Sequence, residues 1–509
     1  MKFILAYDLG TGGTKACLYT QEGELRASEF ASVKTAYPRE KFHEQRPDDW
    51  WRSVVDSTRL LLETSGVNPA DVLAIACSGH SLGAVPVSAD GRLLMESCPI
   101  WSDGRGEKQA ERFFQKIDEA EWYTATGCGF PAGLYAIFKI MWLQEHEPEV
   151  YREAACFLGT KDYLNLRLTG VMATDHSYAS GSGVYDLMAR RYEDRYIGAS
   201  GVDAAKLPRI FESSDILGGL TKEAAALLGL AQGVKVVAGG VDNACMATGA
   251  ACVTDGTAYT SLGTSAWVAV ASRRPIVSVE KRPYVFAHCV PGLFASATSI
   301  FSAGNSLRWV KNNLCLDLSM RADQEGADVY DLITALAAES PAGANKLLFN
   351  PSLAGGSRAE KSPEIRGALL GLTLGHTRQD VLRAVLEGIA MNLRLSMDIL
   401  AGVTPLADEM LIVGGGGKSA VWRQIFADIY EKTILETNVG QDAGSLGAMA
   451  CAAVGLGLWE SYEHVKAVHR LKSAKTPDRS NKPVYDAMRP VFADAAGMQA
   501  ELGERLARL

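Results

Sequence analysis

The stretch Phe3-Ile4-Leu5-Ala6-Tyr7-Asp8-Leu9-Gly10-Thr11-Gly12-Gly13-Thr14-Lys15-Ala16-Cys17-Leu18-Tyr19 decides the fold of this 509-residue chain. Residues 3–7 are an unbroken apolar run, which reads as a buried strand. Residues 14–19 read as a second strand, and 8–13 between them as a tight turn. A turn this rich in glycine brings backbone N–H groups close to an anion, because no side chain blocks the approach. Asp8 stands where the strand gives way to that turn. From there a carboxylate can hold the magnesium that accompanies ATP, or cap its own turn. Thr11, Gly12, Gly13 and Thr14 are the candidate phosphate contacts. Lys15 either reaches a phosphate or flanks the strand.

The pattern returns downstream. Ser261-Leu262-Gly263-Thr264-Ser265 follows Thr257-Ala258-Tyr259-Thr260 and leads into the strand-like Ala266-Trp267-Val268-Ala269-Val270. Aligning Asp8-Leu9-Gly10-Thr11 with Ser261-Leu262-Gly263-Thr264 gives an offset of 253 residues, from 8 to 261, close to half the chain. Two similarly built halves follow, each with a hairpin able to hold a polyphosphate from its own side of a cleft. Gly263, Thr264 and Ser265 are the second set of phosphate candidates.

Between and beyond the hairpins, strands alternate with amphipathic helical segments, which indicates an α/β fold. Strands are expected at 73–77, 234–238 and 410–413, and helices at 49–63, 106–115, 148–155, 380–400, 419–431 and 442–457. The boundary between halves falls near 245, giving domains 1–244 and 245–509. Beyond about residue 457 the sequence says little.

Composition narrows the function. With 47% hydrophobic and 22% charged residues the chain reads as globular rather than disordered. Fifty-one Lys and Arg against 59 Asp and Glu give a charge of -8, and no basic window tracks a nucleic-acid backbone. No apolar run is long enough for a membrane span, and residues 3–7 are too few for a signal-peptide core. Ten scattered cysteines fit reduced core residues better than disulfides or a zinc site, so a reducing cytoplasm is expected.

Three further constellations carry chemistry. Gly239-Gly240-Val241-Asp242-Asn243 ends a strand, so Asp242 is presented where α/β sheets place ligands; it can also cap the helix that follows. Trp101-Ser102-Asp103-Gly104-Arg105 joins a flat apolar face to a carboxylate and a guanidinium, which suits a polyhydroxylated small molecule or, equally, a buried Trp beside an ion pair. His80, in Ser78-Gly79-His80-Ser81-Leu82-Gly83, follows a strand and either lines a pocket or is structural. Gly414-Gly415-Gly416-Gly417-Lys418-Ser419 fails as a P-loop because Ile412 stands where the first glycine belongs. Gly415-x-Gly417-x-x-Ala420, with Glu436 downstream, leaves a dinucleotide fingerprint open. Adenosine contact by the same glycines is the stronger reading.

With these motifs in this order, and with Thr160-Lys161-Asp162-Tyr163-Leu164 and Arg383-Ala384-Val385-Leu386-Glu387-Gly388 between them, the chain resembles the FGGY family of carbohydrate kinases over residues 3–455, and most of all its xylulokinase branch. The resemblance implies two actin-like, ribonuclease-H-like domains flanking a deep cleft, ATP and Mg2+, closure over a sugar, and a homodimer by analogy. Carried over by position, Asp8 and the 11–14 turn face phosphates and metal, Gly263 and Thr264 form the second phosphate loop, and Gly414, Gly415 and Gly416 lie against adenosine. Asp242 takes the hydroxyl proton of the sugar. His80, Ser81, Leu82, Trp101, Asp103, Asp242 and Asn243 face the sugar. Two runs depart from the xylulokinase pattern: Ser81-Leu82-Gly83 stands for its Met-His-Gly, and Gly356-Ser357-Arg358-Ala359-Glu360 for its Gly-Glu-Arg-Thr-Pro. Xylulose, ribulose, a deoxysugar ketose and a related polyol all remain as substrates. Two other functions share features of the sequence, an ATP-driven conformational protein of the actin or chaperone type and an NAD-dependent oxidoreductase.

Overall fold

A computed structural model describes residues 1–357, 360 and 362–509. Of the 356–360 run, Arg358 and Ala359 lie outside the described residues. Two compact units emerge, and neither is continuous in sequence. The first comprises Met1–Asp255, Ala271–Ser296 and Asp442–His469; the second comprises Gly256–Val270, Ala297–Gln441 and Arg470–Leu509.

The first unit is built on strands β1 (Phe3–Gly10), β2 (Gly13–Thr20), β3 (Leu25–Ser32), β4 (Val72–Gly79), β5 (Ile216–Gly219) and β6 (Lys235–Val241), in the order β5-β6-β4-β1-β2-β3. β1 pairs antiparallel with β2 and parallel with β4, and β4 runs parallel to β6. The apolar run at the start of β1 is fully buried because the strand is central, whereas β3, at the edge, alternates in exposure. Both strands of the first hairpin extend further than the sequence suggested. Asp8, Leu9, Gly10 and Gly13 belong to them, and only Thr11-Gly12 is turn. Helix Pro47–Ser65 begins with Pro at its first turn followed by Asp48 and Asp49, and ends at Gly66 in the left-handed conformation (φ 65°). Its apolar face, Trp50, Val54 and Leu61, packs on the β1–β4 core.

The second unit repeats this plan with β7 (Ala258–Leu262), β8 (Ala266–Ser272), β9 (Phe294–Ile300), β10 (Glu409–Val413), β11 (Thr433–Thr437) and β12 (Leu471–Lys475), in the order β9-β8-β7-β10-β11-β12. β7 pairs antiparallel with β8 and parallel with β10, β10 runs parallel to β11, and β12 closes the edge antiparallel. Strands β8-β7-β10-β11-β12 match β2-β1-β4-β6-β5 in order and sense, so the four-residue repeat at offset 253 marks a duplicated topology. The C-terminal stretch, silent in the sequence, forms helix Lys482–Leu506. Among the described residues no helix is long and apolar enough to cross a membrane.

Candidate active site

In the first unit the parallel strands β1, β4 and β6 end side by side. Asp8 is in register with Ser78, and Ser78 with Gly240, which sets Asp8 and Asp242 at the carboxyl edge of strands two apart. Between Val237 and Gly240 the register slips by a bulge. Gly239 makes it possible: its φ is +69°, and a Cβ there would stand 2.1 Å from the carbonyl oxygen of Cys77. The bulge turns the chain so that helix Asp242–Gly249 starts at the carboxylate.

Asp242 is partly open to solvent, and its Oδ1 accepts from the backbone N–H of Asn243 at 2.8 Å and from the Asn243 side-chain amide at 2.9 Å. Burial, reinforced by the charge of Asp8, pushes its carboxyl up to about 7. Asp8 accepts from the Ser78 hydroxyl at 2.8 Å, and burial raises its carboxyl as well. Helix Ala443–Gly455 abuts it, so closely that a Cβ on Gly444 would stand 2.5 Å from Asp8 Oδ2. Lys15 is ion-paired to Asp442. Two partly exposed carboxylates with raised affinity for protons, at the ends of strands two apart, are a donor set that fits a hard divalent cation.

Several expected residues are placed differently from the sequence reading. Thr14 is fully buried and its hydroxyl bonds to that of Ser53 at 2.6 Å, so its side chain is part of the core rather than a phosphate donor. Thr11, in the turn, accepts from the Trp101 indole N–H at 2.8 Å, and Gly12 beside it is exposed. Asp103 is fully buried and saturated: it accepts from the backbone N–H of His43 and, at two points, from the Arg105 guanidinium, both at 2.8 Å. It braces the loop that carries Trp101. His80 is buried against Trp50, and both ring nitrogens lack partners among the described residues; burial pulls its imidazole down to about 3, so it stays neutral. Ser81 is buried beside it, and Leu82 holds a left-handed φ of 60° while its carbonyl accepts from the buried ammonium of Lys139 at 2.8 Å. A non-glycine residue held in that region marks a loop fixed by its surroundings.

The Thr160-Lys161-Asp162 motif supports Asp242 from behind. Lys161, without solvent exposure, is ion-paired to Asp162 at 2.6 Å and Asp175 at 2.9 Å. Asp175 accepts from the Ser177 hydroxyl at 2.5 Å, and that oxygen accepts from the backbone N–H of Val241 at 2.9 Å. This chain of charge-assisted bonds fixes the residue that precedes Asp242.

In the second unit, Gly263, Thr264, Gly415 and Gly416 line one cavity of about 550 Å³; Gly414, which the sequence placed with them, is not among its lining residues. The sequence did not single out Arg308, Tyr330 or Gln441, which also line it. The β7–β8 turn is tied to the start of helix Gly304–Leu314, where the backbone N–H groups of Gly304 and Asn305 donate to the carbonyls of Gly263 and Thr264. Gly304 is required there, since a Cβ would stand 2.5 Å from the oxygen of Gly263. The cavity falls in the size range of small-molecule sites. Glu436, the ribose partner a dinucleotide fingerprint would need, is ion-paired to Arg423 at 2.7 Å and bonded to Ser473.

Paired carboxylates at a parallel sheet edge in one unit and a glycine-lined cavity in its topological twin define a two-domain phosphotransferase. The chain belongs to the FGGY family of carbohydrate kinases: residues 3–249 match the N-terminal domain of that family and residues 258–456 its C-terminal domain. It is therefore a carbohydrate kinase, and neither the conformational ATPase nor the oxidoreductase reading survives. The xylulose kinase of Lactococcus lactis is 31% identical over 99% of both chains, and that of Bacillus subtilis 28% identical over 99% of both. The crystal structure of xylulose kinase from Rhodospirillum rubrum matches with a TM-score of 0.86 at 27% identity, covering 99% of this chain and 100% of that one.

Proposed function

We propose that this kinase transfers the γ-phosphoryl group of ATP to a hydroxyl of a ketopentose, xylulose first among the candidates, with Asp242 as the base. The observation that carries the assignment is the Asp242 carboxylate: partly open, fixed by Asn243, and raised to about 7 by burial. A base with that affinity holds a proton well enough to take it from an alcohol and is about half ionised at neutral pH. Asp242 accepts the hydroxyl proton as that oxygen forms its bond to the γ-phosphorus and the bond to the ADP oxygen breaks.

Asp8 would hold Mg2+, which when bound offsets phosphate charge. The backbone of the Thr11-Gly12 turn and of Thr264 offers N–H groups to phosphate oxygens, Gly263 shaping the second turn through its own N–H bond to the Ser265 carbonyl, and Gly414, Gly415 and Gly416 leave room for the adenosine. The sugar side is formed by the neutral His80, the fixed Ser81-Leu82 loop, Trp101 and Asn243. Xylulose is favoured by the full-length similarity to xylulose kinases. Ribulose and a deoxysugar ketose are the competitors, because Ser81-Leu82 departs from that branch. A reducing compartment suits ten buried cysteines that form no disulfide among the described residues.

The test is an ADP-release assay over a panel of ketoses and polyols with the parent enzyme and Asp242→Asn. The expected result is a preferred ketopentose and a loss of about 10²–10⁴-fold in turnover for the variant, with ATP binding retained in calorimetry. Near-parental turnover in Asp242→Asn would remove the base, and a preferred acid or triol would remove the ketopentose.

A further inference from the structure

The ten cysteines are all buried, as the sequence suggested, but three of them are not scattered in space. Cys245, Cys289 and Cys451, contributed by three separate segments of the first unit, bring their sulfur atoms within 4.8 Å of one another. The Cys245 and Cys289 sulfurs are 3.9 Å apart. Among the described residues no carboxylate or imidazole joins the cluster. A Cβ on Gly240 would stand 2.7 Å from the Cys289 sulfur and 3.0 Å from that of Cys245, so this glycine keeps the space behind the thiols free.

From this geometry we infer a binding site for one soft, thiophilic d10 cation of the zinc or copper(I) class, held by Cys245, Cys289 and Cys451. Metal–sulfur bonds of about 2.3 Å require sulfur–sulfur separations of about 3.8–4.0 Å in tetrahedral or trigonal geometry. The Cys245–Cys289 pair already meets this, and Cys451 closes the triangle by a shift of less than about 1 Å. Three thiolates without an oxygen or nitrogen donor select soft cations over Mg2+, so the site does not compete for the cation of the phosphoryl-transfer reaction. Binding releases the thiol protons to solvent and forms three metal–sulfur bonds, with no change of oxidation state.

The location gives the site a consequence. Cys245 lies one turn after Asp242 on the same face of helix Asp242–Gly249. Cys451 lies on helix Ala443–Gly455, whose first turn packs on Asp8. A cation there clamps together the two helices that carry and abut the paired carboxylates. Because it binds the folded state, it raises the melting temperature in proportion to its occupancy.

The experiment uses the full-length, reduced, metal-free enzyme titrated with Cd2+ alone, followed by the ultraviolet thiolate-to-cadmium charge-transfer band and by thermal melting, with X-ray absorption on the Zn2+-loaded parent. The expected result is one equivalent bound, a band of three-thiolate intensity, a raised melting temperature, and a zinc first shell containing sulfur at about 2.3 Å. Cys289→Ser and Cys451→Ser each lose the band and the thermal shift. The absorption measurement on the parent decides the matter even if a variant fails to fold. A parent without the band, a zinc shell of oxygen and nitrogen only, or a folded variant with undiminished band would each overturn the inference. So would a purified protein two hydrogens lighter with Cys245 and Cys289 in one disulfide-linked peptide.

Discussion

Replacing Gly444 by alanine tests whether the position of the Asp8 carboxylate sets the rate. The new Cβ would stand 2.5 Å from Asp8 Oδ2, 2.8 Å from Cγ and 3.0 Å from Oδ1, whereas ordinary contact begins at 3.4 Å. The carboxylate or the helix must therefore yield by about 0.9 Å. Displacing the carboxylate endangers its 2.8 Å bond from Ser78, and a shift near 1 Å in a reacting constellation costs about 10²-fold. Stability moves less, because overpacking of about 1–3 kcal/mol is offset by about 1 kcal/mol of helix propensity gained over glycine. The expected outcome is a 10- to 100-fold fall in kcat with a raised Mg2+ requirement, while the urea midpoint changes little. Gly447, three residues along the same helix, supplies the contrast: its Cβ would stand 1.8 Å from the backbone oxygen of Cys245, which cannot swing away. Gly447→Ala should lose about 3 kcal/mol or more of stability. Steady-state kinetics against ATP and Mg2+, paired with urea melts, separate the two effects. Turnover and Mg2+ dependence within twofold of the parent in Gly444→Ala would refute the argument.

Three further outcomes follow from the same structure. The folded Asp242 carboxyl titrates about 7 against 3.8 unfolded, so its contribution favours the folded state below about pH 4 and is lost as pH rises through 7; Asp242→Asn should therefore raise the melting temperature more at pH 8 than at pH 5, and an equal shift at both would contradict this. Lys161→Met leaves the buried carboxylates of Asp162 and Asp175 without their cation, and should cost about 3–5 kcal/mol in urea melts at neutral pH. Gly304→Ala drives a methyl into the Gly263 carbonyl and should weaken ATP binding in calorimetry while sugar binding stays at the parental value.

The duplicated hairpin was legible because everything that makes it is local. An apolar run long enough for a central strand, a glycine turn, and a second run repeat at offset 253, and the strand orders of the two units agree. Asp242 was legible for the same reason, a strand followed by two glycines and a carboxylate. What the sequence hid was the direction of side chains and the partners they find. Thr14 differs from Thr11 by three positions, yet one is buried against Ser53 and the other stands in the turn beside Trp101, an outcome of strand pairing that reaches to Gly10 on the first arm and back to Gly13 on the second. Asp103 and Arg105 stood equally for a sugar site or an ion pair, and only packing resolved them into a buried brace.

The sequence by itself determined the strand-and-turn units, their duplication and the acid at the end of β6, because periodicity and glycine placement act over a few residues. Tertiary structure alone decided that Asp442 meets Lys15 across 427 positions, that Gly444 presses on Asp8, and that residues 442–469 fold with the first unit. It also gathered three thiols from segments far apart in the chain. Contacts between distant segments depend on how helices and sheets pack to exclude water, and no spacing along the chain encodes them.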